Sequence, residues 1–188
     1  AAEPTGRKVA AIGAGPAGLA CSLVLATAGE AVTLYDRSPQ PGGVMRYGIP
    51  SYRLPREVLD REIDWILSAG VQFVPNTEIG RDVEMADLVR EYDAVFIGAG
   101  LGEPESPNIP GADAPGVISA YSFLRAAGEP DDDAREQAVK AVIAQPLGRV
   151  VVLGGGNVAV DAACTALRLG AESVTIAYRR TRGEMPAW

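Results

Sequence analysis

The chain contains no histidine, and only two of its 188 residues are cysteines, Cys21 and Cys164. The absence of histidine excludes Ser-His-Asp triads, histidine metal sites and histidine general bases. The two cysteines lie far apart in the sequence, so no CxxC redox pair, cysteine-rich iron–sulfur motif or disulfide framework is present. We expect each cysteine to be a small buried helix residue, and we predict neither a metal site nor a catalytic side chain.

Positive charge and long apolar runs are also scarce. Lysine and arginine number 17 against 24 aspartate and glutamate residues, which gives a net charge of −7. Because phosphate backbones require a basic surface, nucleic acid and anionic membranes are poor partners. No apolar run approaches the ~20 residues of a membrane span, and the N-terminus lacks a signal-peptide core. We therefore expect a cytoplasmic protein.

Glycine, by contrast, is abundant and recurs in a fixed setting. The apolar run Lys8–Ile12 leads into the sequence GAGPAG at Gly13–Gly18. A predicted helix, Pro16–Ala28, is followed by a second apolar run, Ala31–Tyr35, with Gly29 placed as the helix C-terminal cap. Strand, glycine turn, helix and strand in this order predict a βαβ unit with two parallel strands.

The middle of the chain is less regular. Ser38–Pro55 is predicted to be a loop, and Leu101–Gly116, with four prolines and three glycines, is the strongest linker signal. Apolar spacing and short apolar runs predict the remaining elements: a helix from Pro55 to Gly70, a strand at Val71–Val74, a helix at Asp82–Glu91, a strand at Ala94–Ile97, and helices at Ser119–Ala127 and Asp133–Ala144.

The opening pattern returns near the C-terminus. A strand at Arg149–Leu153 leads into GGGNVA at Gly154–Ala159, then into a helix that ends at Leu169 and a strand at Ser173–Tyr178. The repeat predicts an α/β fold with two Rossmann-like dinucleotide-binding units.

The first glycine motif predicts a dinucleotide site. In GxGxxG the first glycine permits a tight turn, the second lets the backbone approach a pyrophosphate, and the third lets helix and strand pack closely. The helix N-terminus then points at the negative charge. Asp36 follows the second strand, where a carboxylate accepts hydrogen bonds from a ribose 2′-hydroxyl, and Arg37 is assigned to the same site. The turn contributes Gly13, Gly15, Pro16, Ala17 and Gly18.

The second motif predicts a different preference. A count along the second strand places Ala177 where the first unit has Asp36, so no carboxylate stands there. Tyr178 is followed instead by Arg179 and Arg180, with Arg182 two residues further on. Guanidinium groups bind a 2′-phosphate that a carboxylate would repel, so this pattern favours NADP over NAD. A solvated basic loop is the alternative interpretation.

Two sites of different preference suggest two cofactors. FAD carries an adenosine with a free 2′-hydroxyl and fits the first site, and hydride can pass between a nicotinamide and a flavin. We therefore predict an FAD-binding βαβ domain at 1–105, a Pro/Gly-rich and helical connection at 106–148, and the start of an NADPH-binding domain at 149–188. This last domain is incomplete, because a lone βαβ pair leaves an edge and a face uncovered.

Five segments carry a resemblance to a known family. They are VAAIGAGPAG (9–18), PGGVMRYGIPSYRLP (41–55), YDAVFIGAG (92–100), VVLGGGNVAVD within 150–161, and AYRRTRGEMPA (177–187). In this order they resemble the flavoprotein module of the NADPH-dependent glutamate synthase small (beta) subunit. A similar module occurs in dihydropyrimidine dehydrogenase and in the larger subunit of electron-bifurcating ferredoxin–NADP oxidoreductases.

The resemblance implies further site residues. It implies that Gly42, Gly43 and Val44 line the flavin side of the FAD site and that Arg53 contacts the cofactor there. Ile79 is expected to meet the adenine through its backbone, and Gly100 is placed at the same site. In the second unit the expected NADP-binding residues are Gly154, Gly155, Gly156, Asn157 and Val158 at the pyrophosphate, and Arg179 and Arg180 at the 2′-phosphate.

The leading hypothesis is an FAD-dependent oxidoreductase module that accepts hydride from NADPH and relays electrons to an iron–sulfur domain or subunit. The alternatives are a non-catalytic dinucleotide-binding module, a flavin-free NADP dehydrogenase, and the flavoprotein subunit of a ferredoxin–NADP oxidoreductase. Chains of the family carry cysteine-rich segments before the first glycine motif and continue past the second βαβ unit. We therefore expect a fragment of a longer flavoprotein, or one completed by another chain, that is inactive alone.

Overall fold

The computed structural model describes residues 2–102, 106–129, 132–143 and 147–187. The described residues form two compact units: 2–46 with Leu54–Gly102, and Tyr47–Arg53 with 106–129, 132–143 and 147–187. Parts of the predicted linker Leu101–Gly116 and the last residue of the predicted helix Asp133–Ala144 lie outside the described residues.

The first unit is a parallel sheet with helices. Its strands lie in the order β3-β2-β1-β4, with every neighbouring pair parallel. Strand order reverses at β1, so the carboxyl ends of β1 and β4 mark the switch point where ligands bind in such sheets. The elements are β1 (Lys8–Ile12), α1 (Pro16–Thr27), β2 (Ala31–Tyr35), α2 (Val44–Tyr47), α3 (Arg56–Leu67), β3 (Gln72–Val74), α4 (Met85–Glu91) and β4 (Ala94–Ile97).

The core of the first unit lies where α1 and α3 pack on the sheet. Leu19 of α1, Leu34 of β2, and Leu59 and Ile63 of α3 are at most 4% exposed and belong to one cluster. In β1 the central residues are alanines with no exposed surface, Ala10 and Ala11. A strand buried on both faces is typical of the centre of a parallel sheet.

The second unit repeats the βαβ pattern. Its elements are α5 (Ala120–Ala127), α6 (Asp132–Val142), β5 (Arg149–Leu153), α7 (Asn157–Arg168), β6 (Ser173–Ala177) and a 3-10 turn at Arg182–Glu184. Strands β5 and β6 are parallel. Phe123 and Leu124 of α5 pack with Val152 and with the alanine face of α7 in a second core cluster. Ser119 caps α5, since its hydroxyl oxygen accepts hydrogen bonds from the Tyr121 and Ser122 backbone N–H groups.

The repeat extends to the helix ends. Gly29 after α1 and Gly170 after α7 have φ of +91° and +89°. Beyond each glycine the next backbone N–H donates back into the helix, from Glu30 to Leu25 O (3.1 Å) and from Ala171 to Ala166 O (3.0 Å). Both ends are therefore Schellman motifs, which confirms the predicted cap at Gly29.

The α/β fold with two Rossmann-like units is confirmed, and two local predictions are wrong. Helix α2 lies within the predicted loop Ser38–Pro55, and α4 begins at Met85 rather than at Asp82. The Asp82 carboxylate accepts a hydrogen bond from the Glu78 N–H, which forms a turn before the helix. The structure groups 106–129 and 132–143 with the second unit, and the three-part domain division stays a prediction. Among the described residues, none of the helices combines the length and hydropathy needed to cross a membrane.

Candidate functional site

The first glycine turn lies where three strands end. The Gly13 N–H donates to Tyr35 O and the Gly98 N–H to Ile12 O, both at 2.8 Å, so β1, β2 and β4 converge there. A Cβ added to Gly13, whose φ is +94°, would lie 2.4 Å from Gly98 O, and one added to Gly18 would lie 1.8 Å from Gly13 O. Both positions therefore require glycine, and Gly18 has the close-packing role that the motif predicts.

Asp36 is fixed against this turn. Its Oδ2 accepts a hydrogen bond from the Ala14 N–H and its Oδ1 accepts one from the Ser38 N–H, each at 2.7 Å. A carboxylate offers about four lone-pair positions, so two such bonds leave capacity for a ribose hydroxyl. Arg37 is exposed beside it. The Ala14 N–H was not anticipated from the sequence, because residue type does not report a backbone donor.

The loop that precedes α2 packs directly on the turn. The Gly42 N–H donates to Ala14 O at 2.7 Å. A Cβ added to Gly43, whose φ is +52°, would lie 2.7 Å from the Gly15 Cα. The backbones of the two loops therefore meet without side chains between them, at the switch point of the sheet, and α2 begins at the half-exposed Val44. This glycine-lined cradle fits the close backbone approach that a dinucleotide pyrophosphate needs.

Ile79 and Gly100 lie at the same edge of the sheet. The Thr77 N–H donates to Asp36 O (2.8 Å), so the loop after β3 follows the Asp36 segment towards the half-buried Ile79. Gly100 comes shortly after β4 with φ of +75°, and an added Cβ would meet nothing within 4 Å. The structure thus brings all the predicted FAD residues of the first unit to the carboxyl edge of its sheet.

Arg53 forms an ion pair within the second unit. It belongs to the second unit, and its Nε donates to Oδ1 of Asp161 in α7 in an ion pair. The Asp161 side chain is only 8% exposed. A buried carboxylate of this kind requires a positive partner, which Arg53 supplies. The role of Arg53 at FAD stays a prediction, and Asp161 was missed because one acidic residue in an alanine-rich helix is a weak signal.

The residues around Arg53 contact α5 and α7. The Tyr52 hydroxyl contacts Asp161 O (3.3 Å), and the Arg168 guanidinium lies 3.8 Å from the centre of the Tyr52 ring. The Arg125 guanidinium lies 5.0 Å from the centre of the Tyr47 ring. Cation–π contacts and hydrogen bonds therefore tie both ends of the segment Tyr47–Arg53 to α5 and α7.

The second glycine turn connects strand and helix in the same way as the first, but its glycines have more space around them. The Gly154 N–H donates to Ala177 O at 2.9 Å. A Cβ added to Gly154 would lie 3.6 Å from the Ala159 Cβ, so alanine is accommodated at the third motif position. A Cβ added to Gly156, the N-cap of α7, would meet nothing within 4 Å. Open space before the N-terminus of a helix fits a pyrophosphate, and Asn157 and Val158 begin that helix.

The counterpart of Asp36 is Tyr178, which corrects the count from the sequence by one residue. In the sheet registers Ile12 pairs with Tyr35 and Leu153 with Ala177, because the loop after α7 is one residue longer than the loop after α1. The Tyr178 ring lies 2.7 to 2.9 Å from a Cβ added to Gly155, which explains the glycine there. No carboxylate stands at this position in either alignment.

The arginines follow directly. Arg179, Arg180 and Arg182 are exposed, and none of their guanidinium groups has a hydrogen bond or ion pair to another described residue. The Glu184 carboxylate bonds instead to Thr181, which holds the pKa of Glu184 below its usual value. The Ala187 N–H donates to Gly155 O (3.1 Å), so this chain segment returns to the glycine turn. The described residues thus present three unpaired guanidinium groups beside a nucleotide-type turn.

The cysteines take no part in this geometry. Cys21 in α1 and Cys164 in α7 are free and half-buried helix residues. Burial raises the pKa of the Cys21 thiol, which favours its protonated form. Within the described ranges no three metal-ligating side chains lie close enough together to hold an ion.

Comparison with known proteins identifies similar chains among NADPH- and NADP(+)-dependent enzymes. The glutamate synthase [NADPH] small chain of Escherichia coli strain K12 is 43% identical over 184 residues, which are 98% of this chain and 39% of that protein. The NADP(+)-dependent formate dehydrogenase subunit beta of Moorella thermoacetica is 45% identical over 188 residues, 99% of this chain and 25% of that protein. The chain thus spans two fifths or less of these relatives, and the resemblance carried by the five segments is confirmed.

Solved structures agree. FprA from Mycobacterium tuberculosis, an oxidoreductase solved in complex with NADPH, superposes with a TM-score of 0.81 at 25% identity. The match covers 98% of this chain and 46% of FprA. The predicted relationship to NADPH-dependent oxidoreductases is therefore confirmed. Residues 7–186 match the pyridine nucleotide-disulphide oxidoreductase family, and the chain belongs to that family.

Proposed function

We propose that the chain is the FAD- and NADPH-binding part of an oxidoreductase that takes hydride from NADPH and passes electrons to an iron–sulfur partner. One observation carries the proposal. Both units have the same order of strand, glycine turn, helix and strand, and residues of opposite charge follow the second strand of each. Asp36 follows β2, whereas Arg179 and Arg180 follow β6. A carboxylate selects a ribose 2′-hydroxyl, and guanidinium groups select a 2′-phosphate.

The residues of the first unit would hold FAD. Gly15 and Gly43 form the close backbone cradle for its pyrophosphate, and Asp36 accepts hydrogen bonds from the adenosine ribose. When bound, FAD supplies the ability to take a hydride and to release electrons one at a time. The chain needs to bind, orient and exclude water rather than move protons, which agrees with its lack of histidine.

The residues of the second unit would hold NADPH. Gly154, Gly155 and Gly156, with Asn157 and Val158 at the start of α7, cover the pyrophosphate at a helix N-terminus. Arg179 and Arg180 bind the 2′-phosphate through charge-assisted hydrogen bonds. The NADPH and NADP(+) in the names of two relatives support this half of the proposal.

The partner and the location belong to the same proposal. The two relatives are named as a small chain and a beta subunit, which supports an assembly with other chains or domains. We infer that the electrons leave to an iron–sulfur group in such a partner, or in the remainder of the same flavoprotein. We also retain the cytoplasmic location expected from the sequence.

The test uses the FAD-loaded holoenzyme. NADPH added without oxygen should bleach the yellow flavin spectrum, and the double substitution Arg179→Ala with Arg180→Ala should weaken NADPH by about 2–4 kcal/mol in kcat/KM. NADH lacks the 2′-phosphate and should be almost unaffected. Arg61→Ala, at a 72% exposed side chain of α3, is the matched control and should change neither cofactor.

Each other outcome identifies a competing hypothesis. A colourless protein that oxidises NADPH would indicate a flavin-free dehydrogenase. A yellow protein that binds NADPH without bleaching would indicate a non-catalytic binding module. Equal losses with NADPH and NADH in the double variant would mean that the two arginines stabilise the fold, and the 2′-phosphate role would be dropped.

A further inference from the structure

The segment Tyr178–Ala187, here called the arginine loop, has an unusual charge arrangement. It carries three arginines and a single carboxylate, Glu184. A carboxylate so close in sequence to three guanidinium groups would be expected to pair with one of them, in the bidentate geometry that arginine favours. Such a pair would occupy the group that the proposed function assigns to a phosphate.

The structure shows a different partner for Glu184. Its Oε2 accepts a hydrogen bond from the Thr181 hydroxyl (2.8 Å) and another from the Thr181 backbone N–H (3.0 Å). The Glu184 N–H in turn donates to Thr181 O (3.1 Å). The two residues thus form a reciprocal cap around the 3-10 turn, in which the carboxylate is satisfied without an arginine.

The loop as a whole is fixed to the glycine turn. The Tyr178 hydroxyl donates to Glu184 O at 3.3 Å, and the Ala187 N–H donates to Gly155 O at 3.1 Å. The cap is therefore part of the structure that carries Arg179 and Arg180 next to the N-terminus of α7. Its two members are exposed, so substitutions there leave the core intact.

We propose that Thr181 and Glu184 are positioning residues that determine cofactor specificity: their mutual hydrogen bonds hold the only carboxylate of the arginine loop on Thr181, which leaves Arg179 and Arg180 free to bind an adenosine 2′-phosphate. The inference rests on the proposed function, because it requires that these arginines bind NADPH. It assigns the NADPH preference to a competition within the loop as well as to the arginines themselves.

The test compares three variants of the FAD-loaded holoenzyme by calorimetric titration with 2′,5′-ADP, which has the 2′-phosphate, and with 5′-AMP, which lacks it. Thr181→Val removes the hydroxyl donor and keeps the shape, so Glu184 is released towards the arginines. Binding of 2′,5′-ADP should weaken about two- to fivefold, the effect of one competing exposed ion pair, while 5′-AMP is unchanged. Thr181→Ser keeps the hydroxyl and should behave like the parent.

The decisive variant is Thr181→Val combined with Glu184→Gln. A neutral amide does not compete for arginine, so 2′,5′-ADP affinity should return to the parent value even though the cap is weakened. In steady-state assays the KM for NADPH should follow the same pattern, with kcat unchanged. If Thr181→Val binds 2′,5′-ADP as the parent does, or if the combined variant fails to recover, the proposed competition is wrong.

The arginine double variant separates this result from a failure of the proposed function. If replacing Arg179 and Arg180 with alanine abolishes the preference for 2′,5′-ADP and Thr181→Val has no effect, only the role of the cap is overturned. If the arginine double variant keeps the preference, the 2′-phosphate site itself is misplaced, and the inference is overturned with it.

Discussion

At the scale of single residues, Asp36 combines a structural and a binding role. Its two oxygens already accept hydrogen bonds from the Ala14 and Ser38 backbones, which fix the carboxylate before any ligand arrives. A group held in this way loses little freedom when it accepts a further bond, so more of the bond energy appears as affinity.

Asp36→Ala should weaken FAD binding by about 1.5–3 kcal/mol, or roughly ten- to a hundredfold, because a charge-assisted hydrogen bond to the ribose is lost. Flavin fluorescence during titration of the apoprotein with FAD measures the affinity. Asp36→Asn keeps one carbonyl oxygen for the Ala14 N–H, so its FAD affinity should lie between those of the parent and Asp36→Ala. FAD affinity in Asp36→Ala equal to that of the parent would remove Asp36 from the ribose site.

Tyr35 gives a prediction about pH. Burial, then the 2.8 Å hydrogen bond with the Tyr92 hydroxyl, raises the Tyr35 pKa above its ordinary value. In the unfolded chain Tyr35 ionises near pH 10, whereas in the folded chain it ionises only at higher pH. The associated stability is therefore complete below about pH 10 and declines as the pH rises further.

Tyr35→Phe should flatten this alkaline decline in the free energy of unfolding, measured by urea denaturation at about pH 8 and about pH 11. Tyr121→Phe in α5 removes a tyrosine hydroxyl at a different position and serves as the control, with the decline retained. An equally steep decline in the parent and in Tyr35→Phe would contradict the role of the buried hydroxyl.

At the scale of elements, the two glycine turns have the same backbone arrangement but differ in whether a larger side chain fits at their glycines. Alanine at Gly18 would place its Cβ 1.8 Å from Gly13 O, which the backbone cannot relieve without moving α1. Gly156 has no heavy atom within 4 Å of an added Cβ, and its φ of −87° suits any residue. Glycine therefore serves packing at Gly18 and leaves space for a ligand at Gly156.

Gly18→Ala should destabilise the first unit by about 3 kcal/mol, the upper end of the range for overpacking substitutions, and should lower the yield of folded protein. Gly156→Ala should leave the urea midpoint unchanged while it weakens NADPH about tenfold or more, because the new methyl group keeps the pyrophosphate from the backbone. A shifted urea midpoint in Gly156→Ala, or unchanged NADPH affinity, would contradict this division of roles.

The elements that sequence predicted well are those with strong local signals. Strands β1, β2, β4 and β5 match their predicted bounds, because each is an apolar run that ends at a glycine, an aspartate or a turn. Helix α2 was missed because four residues, Val44–Tyr47, are too few for helical periodicity to show. The glycine turns, Asp36 and the arginines could be singled out because their pattern depends on spacing along the chain, and their binding roles stay predictions.

The contacts that sequence missed are distant along the chain. Arg53 and Asp161 are 108 residues apart, and nothing in the composition around either residue names the other. Tyr178 was placed one residue off because the length of the loop before β6 has no periodicity to fix it. In each case the missing information is tertiary packing, which local patterns do not encode.

At the scale of the whole chain, the stretch after β4 is the most accessible. Leu101, Gly102 and most of residues 106–116 are exposed and lie outside helices and strands. Exposed connections of this kind are the preferred sites of proteolytic cleavage. We predict that limited digestion with a broad-specificity protease cuts within Leu101–Gly116 before it cuts α1. Mass spectrometry of the first fragments measures the order, and early cleavage inside Pro16–Thr27 would contradict it.

The course of the chain through its two units has a consequence for gene exchange. Residues Tyr47–Arg53 belong to the second unit although they are encoded in the middle of the first. A crossover between two homologous genes near residue 102 would therefore join the Tyr52 and Arg53 of one parent to the Asp161 and Arg168 of the other. Such a recombinant keeps the ion pair and the ring contact only where both parents supply the same residues, so this crossover point tests the second unit even though it lies between the two units.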